Sequence, residues 1–234
     1  MTKIVILGDS VSLRIRPVRR DATEKTYAEH LAALNPRFFV VNLGRGAASI
    51  KSQMVDMDPI IRQFPDFYVL NFGIVDCSTR SVPEWVFRFV NTIKPSEWLI
   101  RRWARKFVDF FEKKNRKSLV LLRGKRSWTS EKDFKSVYLK TIKLLQKETG
   151  AQLICLGINQ TDERVESQLP GTKQKINQYN QVIKQVCEST GCSFVDTYNL
   201  IEPKNVPDGI HFDAAGHKQV ALLILEIVNS KSPC

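Results

Sequence analysis

Five short apolar runs, each separated from the next by an amphipathic stretch, limit this chain more than any other feature. Residues 4–7, 38–43, 67–72, 153–156 and 193–195 are rich in Val, Ile, Leu and Phe and are too short for buried helices. They predict five strands. Helical spacing falls near 22–34, 49–63, 131–149 and 173–190, with a last segment near 213–229. Gly150 and Gly191 stand where two of these helices should stop, each just before a strand. Strands that alternate with helices predict a parallel sheet covered on both faces.

At 234 residues the chain is expected to form one domain, 1–234, with a full-sized core. Its apolar share of 43% and charged share of 26% are ordinary for a globular protein, and no run is long enough to span a membrane. Met1 to Lys3 leads straight into the first strand with no leader pattern, so a cytoplasmic location is expected. Cys77, Cys155, Cys187, Cys192 and Cys234 are odd in number and form no CxxC pair. They read as free thiols, with Cys77 a packing residue.

Segment 83–128 does not fit the alternation. Pro83 and Pro95 break it, and Leu99, Trp103, Phe107 and Phe110 then recur at helical spacing. Between Glu84 and Trp128 thirteen Lys and Arg face four Asp and Glu, a net +9 within a chain of net +12. We expect a basic helical insertion, too small to be a separate domain. A second basic cluster, Arg14, Arg16, Arg19 and Arg20, follows the first strand closely.

Gly8-Asp9-Ser10 stands at the carboxyl end of the first run, where open α/β sheets bind their ligands. Asn42, Gly44 and Gly46 follow the second run, and Gly73 to Asp76 the third. Asp208 and His211 precede the last helix. A serine hydroxyl needs a base to take its proton, and the base needs an orienting group. One tight loop carries both Asp208 and His211. If Asp208 holds one imidazole nitrogen, the other is left for Ser10. His30 and His217 fall in helices and are expected to be structural. No cluster has metal-ligand spacing and no glycine loop has a phosphate-binding or dinucleotide pattern, so no metal or cofactor is expected.

These stretches, in this order, resemble the blocks of the SGNH/GDSL hydrolases. Residues 8–10 are similar to the nucleophile block, 42–49 to the second block and 208–217 to the final block. Gly73-Ile74-Val75-Asp76 takes the place of the family's Gly-x-Asn-Asp. The resemblance runs from residue 4 to about 221, leaving out 83–128. It implies a flavodoxin-like three-layer α/β/α sandwich around a five-stranded parallel sheet. It also implies cleavage or transfer of acyl groups by Ser10, His211 and Asp208. By position, the oxyanion would rest on the N–H groups of Ser10 and Gly46 and on the side chain at 75. The block spacing is one residue short, so Gly44 or Ala47 could hold the glycine's place.

Val75 departs from that pattern, because it has no donor. Losing one oxyanion donor typically costs about 100- to 1000-fold in rate. Two backbone donors could suffice. Asn71, Asn42, Asn159 or Arg45 could replace the missing amide, or the protein could be weak or inactive. Arg45 and Asp76 are also expected to serve the substrate, Asp76 by orienting the nucleophile loop.

The resemblance implies a serine esterase acting on an acyl ester, with O-acetyl groups on a carbohydrate or surface-polysaccharide precursor as the expected substrate. The same residues would serve an O-acyltransferase, and Val75 leaves open a member that only binds an anionic ligand. The basic segment 84–128 would suit an anionic partner: an acidic acyl carrier, an anionic glycan, or the inner membrane face. No motif supports nucleic acid.

Overall fold

Strands β1 (Thr2–Gly8), β2 (Phe38–Asn42), β3 (Phe67–Asn71), β4 (Gln152–Leu156) and β5 (Ser193–Val195) form one parallel sheet in the order β2-β1-β3-β4-β5. All five expected strands are present, with ends shifted by no more than two residues. The residues described are 1–14, 24–92 and 98–231 of a computed structural model. The expected basic residues Arg16, Arg19, Arg20 and Lys94, with Pro95 and Glu97, lie outside them, as does Cys234.

The helices are α1 (Tyr27–Leu34), α2 (Ile50–Gln53), α3 (Asp58–Ile61), α4 (Ile74–Cys77), α5 (Glu84–Asn91), α6 (Trp98–Leu122), α7 (Glu131–Thr149), α8 (Glu163–Gln168), α9 (Thr172–Thr190), α10 (Thr197–Leu200) and α11 (Ala214–Lys231). α1 packs with α11 on one face of the sheet, and α7 packs with α9 on the other. The central strands, covered on both faces, need apolar residues at every position. Accordingly Ile4, Val5, Ile6 and Leu7 of β1 and every residue of β3 are buried.

The strand order reverses direction between β1 and β3. Helices cross on one face to reach β2 and on the other to reach β3, which opens a crevice at the carboxyl ends of the two strands. Register sets Gly8 beside Asn71 and Ile6 beside Asn42, so the segments after three strands leave from one edge.

Local sequence explains the helix ends. Thr26 and Glu29 form a capping box at the start of α1, and Gly150 and Gly191 end α7 and α9 in left-handed geometry. The single helix expected over 49–63 is instead two short ones, α2 and α3. Pro59 lacks the N–H that a continuous helix would offer to the carbonyl of Val55. The expected insertion is largely α5 and α6, and the apolar run at 118–122 is the end of α6. Cys77, Cys155 and Cys187 are buried and Cys192 is half-buried, and none of the four is in a disulfide. Among the described residues no helix is long and apolar enough to cross a membrane.

Candidate active site

Ser10 opens a 3-10 turn, Ser10–Ser12, directly after β1. Asp9 shapes that turn. Its carboxylate accepts the Val11 N–H at 2.9 Å, its carbonyl accepts the Ser12 hydroxyl at 2.8 Å, and its N–H donates to the Asn71 carbonyl. Asp9 is buried, and burial raises its pKa to about 7 against the pull of the Val11 N–H, with the nearby Asp76 adding to the rise.

The second part comes from the loop before α11. Asp208 accepts the N–H groups of Ile210 at 2.9 Å and His211 at 2.7 Å, so its carboxylate folds the loop around itself. Gly209 has a φ of 76°, and a Cβ there would lie 2.7 Å from the Asp162 carboxylate. Asn159 donates to the Ile210 carbonyl at 3.1 Å and holds the loop from the β4 side.

This anchoring fixes the imidazole. His211 Nδ1 lies 2.7 Å from Asp208 Oδ2, and Nε2 lies 2.9 Å from Ser10 Oγ. A carboxylate can only accept, so in the neutral ring the proton sits on Nδ1. Nε2 then presents its lone pair to the serine hydroxyl. Burial would raise the pKa of Asp208, but hydrogen bonds from the His211 side chain and the loop amides hold it at about 2. The three residues singled out in the sequence thus form one hydrogen-bonded chain.

The oxyanion corner differs from expectation. The Gly44 N–H donates to Asn42 Oδ1 at 3.0 Å, which removes Gly44 as a donor. The N–H groups of Ser10, Gly46 and Ala47 have no acceptor among the described residues. Ala47, held at a φ of 57°, lines the cavity beside Ser10, whereas Gly46 does not.

The side chains proposed to replace the missing amide are committed elsewhere. Asn71 donates to Tyr27 Oη, Asn42 to the Ser12 carbonyl, and Asn159 to the Ile210 carbonyl. Arg45 is tied to Gln53 Oε1 and the Ser52 carbonyl and does not line the cavity. Asp76 does not line the cavity either. It is fully buried and accepts the Ile50 N–H at 3.1 Å and the Thr129 hydroxyl at 2.7 Å, joining α4 to α2 and to the start of α7. Burial raises its pKa to about 6.

His217 is structural, as expected. It accepts the Tyr27 N–H and packs against Tyr27 and Phe212, and burial lowers its pKa to about 4.

A cavity of about 160 Å³ lies against Ser10 and His211. Its walls are mostly apolar: Ile74, Val75, Phe87, Trp128, Leu169 and Ile210. Gly73, with a φ of 141°, makes the turn that places Val75 there. A Cβ at 73 would strike the Ile158 side chain at 2.4 Å. One charged side chain reaches the same wall: Arg80. Its only signal in the sequence is its nearness to the third block.

The sequence profile of the GDSL-like lipase/acylhydrolase family matches residues 6–219. No curated protein sequence matches the chain. Among solved structures, a lipase/acylhydrolase from Enterococcus faecalis superposes with a TM-score of 0.65 at 17% identity, over 99% of this chain and 97% of that one. Axe2, an acetylxylan esterase from Geobacillus stearothermophilus, gives 0.60 at 20% identity, over 96% and 93%. The acetyl xylan esterase AlAXEase gives 0.60 at 18%, over 97% and 99%. The chain therefore belongs to the GDSL-like lipase/acylhydrolase family and is an ester-hydrolysing enzyme.

Proposed function

We propose that this enzyme removes a short acyl group, of which acetyl is the best fit, from a carbohydrate ester by Ser10–His211–Asp208 catalysis. The Ser10–His211–Asp208 hydrogen-bond chain carries the reading. Ser10 Oγ attacks the carbonyl carbon while its proton passes to His211 Nε2. Asp208 stabilises the imidazolium that forms. The oxyanion rests on the N–H of Ser10 and on an N–H of the Gly46–Ala47 turn. Collapse expels the alcohol, which takes the proton from His211. A water then attacks the acyl-enzyme, with His211 again as base, and the acid leaves.

Two features support a short acyl group on a sugar. The cavity beside Ser10 holds about 160 Å³, too little for a long chain. Two of the fold's neighbours are described as acetylxylan esterases. The test is hydrolysis of p-nitrophenyl acetate, butyrate and octanoate, and acetate release from acetylated oligosaccharides, by wild type and Ser10→Ala. Activity that falls with chain length and vanishes in Ser10→Ala supports the reading. Equal rates in the two proteins overturn it. Acyl transfer to a sugar acceptor instead of free acid would mark an O-acyltransferase on the same residues.

We also propose that α5 and α6 form a basic insertion in one domain and rest on an anionic membrane surface. In α6, Arg101 and Val120 are buried, while Trp103, Phe107 and Phe110 are exposed by 69%, 70% and 72%. Large aromatics left in water beside many Lys and Arg suit a lipid headgroup layer. An acidic acyl carrier or anionic glycan would be matched by the charge alone and would leave the aromatics without a role.

A further inference from the structure

Arg80 lies on the wall of the cavity that holds Ser10 and His211, and it brings a permanent positive charge into a mostly apolar space. Its placement is determined on three sides. The guanidinium stacks on Trp128, 4.2 Å from the ring centre. One terminal nitrogen donates to the Val75 carbonyl at 3.2 Å. Its backbone N–H donates to the Arg126 carbonyl, and its carbonyl accepts from Arg123. Trp128 is held in turn by its indole N–H, which donates to the Val82 carbonyl.

Among the described residues no carboxylate pairs with this cation. Asp76 and Glu112 attract it through space, but Asp76 is engaged by Ile50 and Thr129, and Glu112 by Ser81. Among the described residues Arg80 makes no ion pair, and its Nε is buried without an acceptor. A half-buried guanidinium with spare donors, its Nε buried and unpaired, is best completed by something anionic. Every protein acceptor it has is a neutral carbonyl or a ring face.

We infer that Arg80 is a substrate-binding residue that recognises a carboxylate carried by the ester, so that the enzyme acts on acidic esters in preference to neutral ones. The inference rests on the esterase reading and extends it by naming the substrate's charge. A carboxylate would pair with the planar guanidinium through two parallel hydrogen bonds, a geometry that Lys cannot match. The acid can belong to either half of the ester. On the alcohol side it would make the substrate an acylated uronic-acid type sugar. On the acyl side it would make it a hemiester of a dicarboxylic acid.

The experiment compares matched pairs. Acetylated methyl glucuronide against acetylated methyl glucoside tests the alcohol side. p-Nitrophenyl hemisuccinate against p-nitrophenyl butyrate tests the acyl side. In at least one pair the acidic ester is expected to have the higher kcat/KM by about 10-fold or more, expressed mainly in KM. That ratio is expected to fall to about one in Arg80→Met and to an intermediate value in Arg80→Lys. Binding of the acetylated glucuronide and glucoside to Ser10→Ala, measured by calorimetry, reads the alcohol-side preference without turnover. A ratio near one in both pairs in the wild type overturns the proposal, and so does a ratio that Arg80→Met leaves unchanged. Hydrolysis of p-nitrophenyl acetate that depends on Ser10 keeps the esterase reading intact even then.

Discussion

His211 Nε2 stands 2.9 Å from Ser10 Oγ across 201 residues of chain. The contact depends on two local devices, the Asp9 turn and the Asp208 loop, each of which folds around its own carboxylate. Ser10→Ala and His211→Ala are each expected to lower kcat by about 10³-fold or more, and the double variant to lose little beyond either single one. Asp208→Asn is expected to lose less than either. Steady-state kinetics on p-nitrophenyl acetate checks all four variants.

Val75 takes the place where the family's third block has an asparagine, and it lines the cavity. Val75→Asn restores a donor of nearly the same size. We expect kcat to rise about 10-fold with little change in KM. A fall in kcat would mean that the apolar wall matters more than a third donor.

The two glycines of the second block should respond in opposite ways. A Cβ at Gly44 would lie 2.0 Å from Ser12 Oγ, inside the nucleophile turn, whereas one at Gly46 meets nothing within 4 Å. Gly44→Ala is expected to destabilise the fold by about 1–3 kcal/mol and to lower activity. Gly46→Ala keeps its N–H and should be nearly neutral. Thermal melts and esterase rates of the pair separate the two cases.

Buried carboxylates give the protein an unusual pH dependence. Asp9 is raised from 3.8 to about 7 and Asp76 to about 6, so the folded state keeps protons that the unfolded chain releases. Their effect is therefore a loss of stability as pH rises from about 4 to about 7. Asp208, lowered to about 2, acts in the opposite sense and only in more acidic solution: its stabilising contribution, present above pH 4, is lost as pH falls towards 2. Asp9→Asn keeps an acceptor for the Val11 N–H and cannot ionise. Its Tm should change less than that of wild type between pH 4 and 7, as melting across that range would show.

The aromatic row of α6 predicts lipid binding. The protein is expected to co-sediment with phosphatidylcholine vesicles only when they contain phosphatidylglycerol, and to be partly released by high salt. Replacing Trp103, Phe107 and Phe110 by Ser, all at exposed positions, should reduce the bound fraction about five-fold or more. Binding that is equal with and without anionic lipid would remove the charge argument.

What was legible in the sequence was whatever local pattern encodes. β1 and β3 are buried on both faces, so their apolar runs were continuous and easy to read. The Asp208–His211 loop closes on itself within four residues, and spacing alone indicated it. The split between α2 and α3 was legible too, in Pro59, but the apolar spacing masked it. Other features depend on contacts distant in sequence. Asp76, expected to orient the nucleophile loop, has Ile50 and Thr129 as its partners, 26 and 53 residues away. Asn42 and Asn71 lie near the site in sequence order but point their amides into the scaffold. Arg80 reaches the cavity only because Trp128 comes back beside it, a pairing that no local pattern announces.

The distribution of the triad has a consequence for synthesis. A ribosome releases the Ser10 strand well before the Asp208–His211 loop. Until that loop emerges and docks, the nascent chain has a hydroxyl without the base proposed for it, so hydrolysis by these residues waits until all five strands have been made. Proteolysis that removes the loop together with α11 would take away both the proposed base and one of the two helices that cover one face of the sheet.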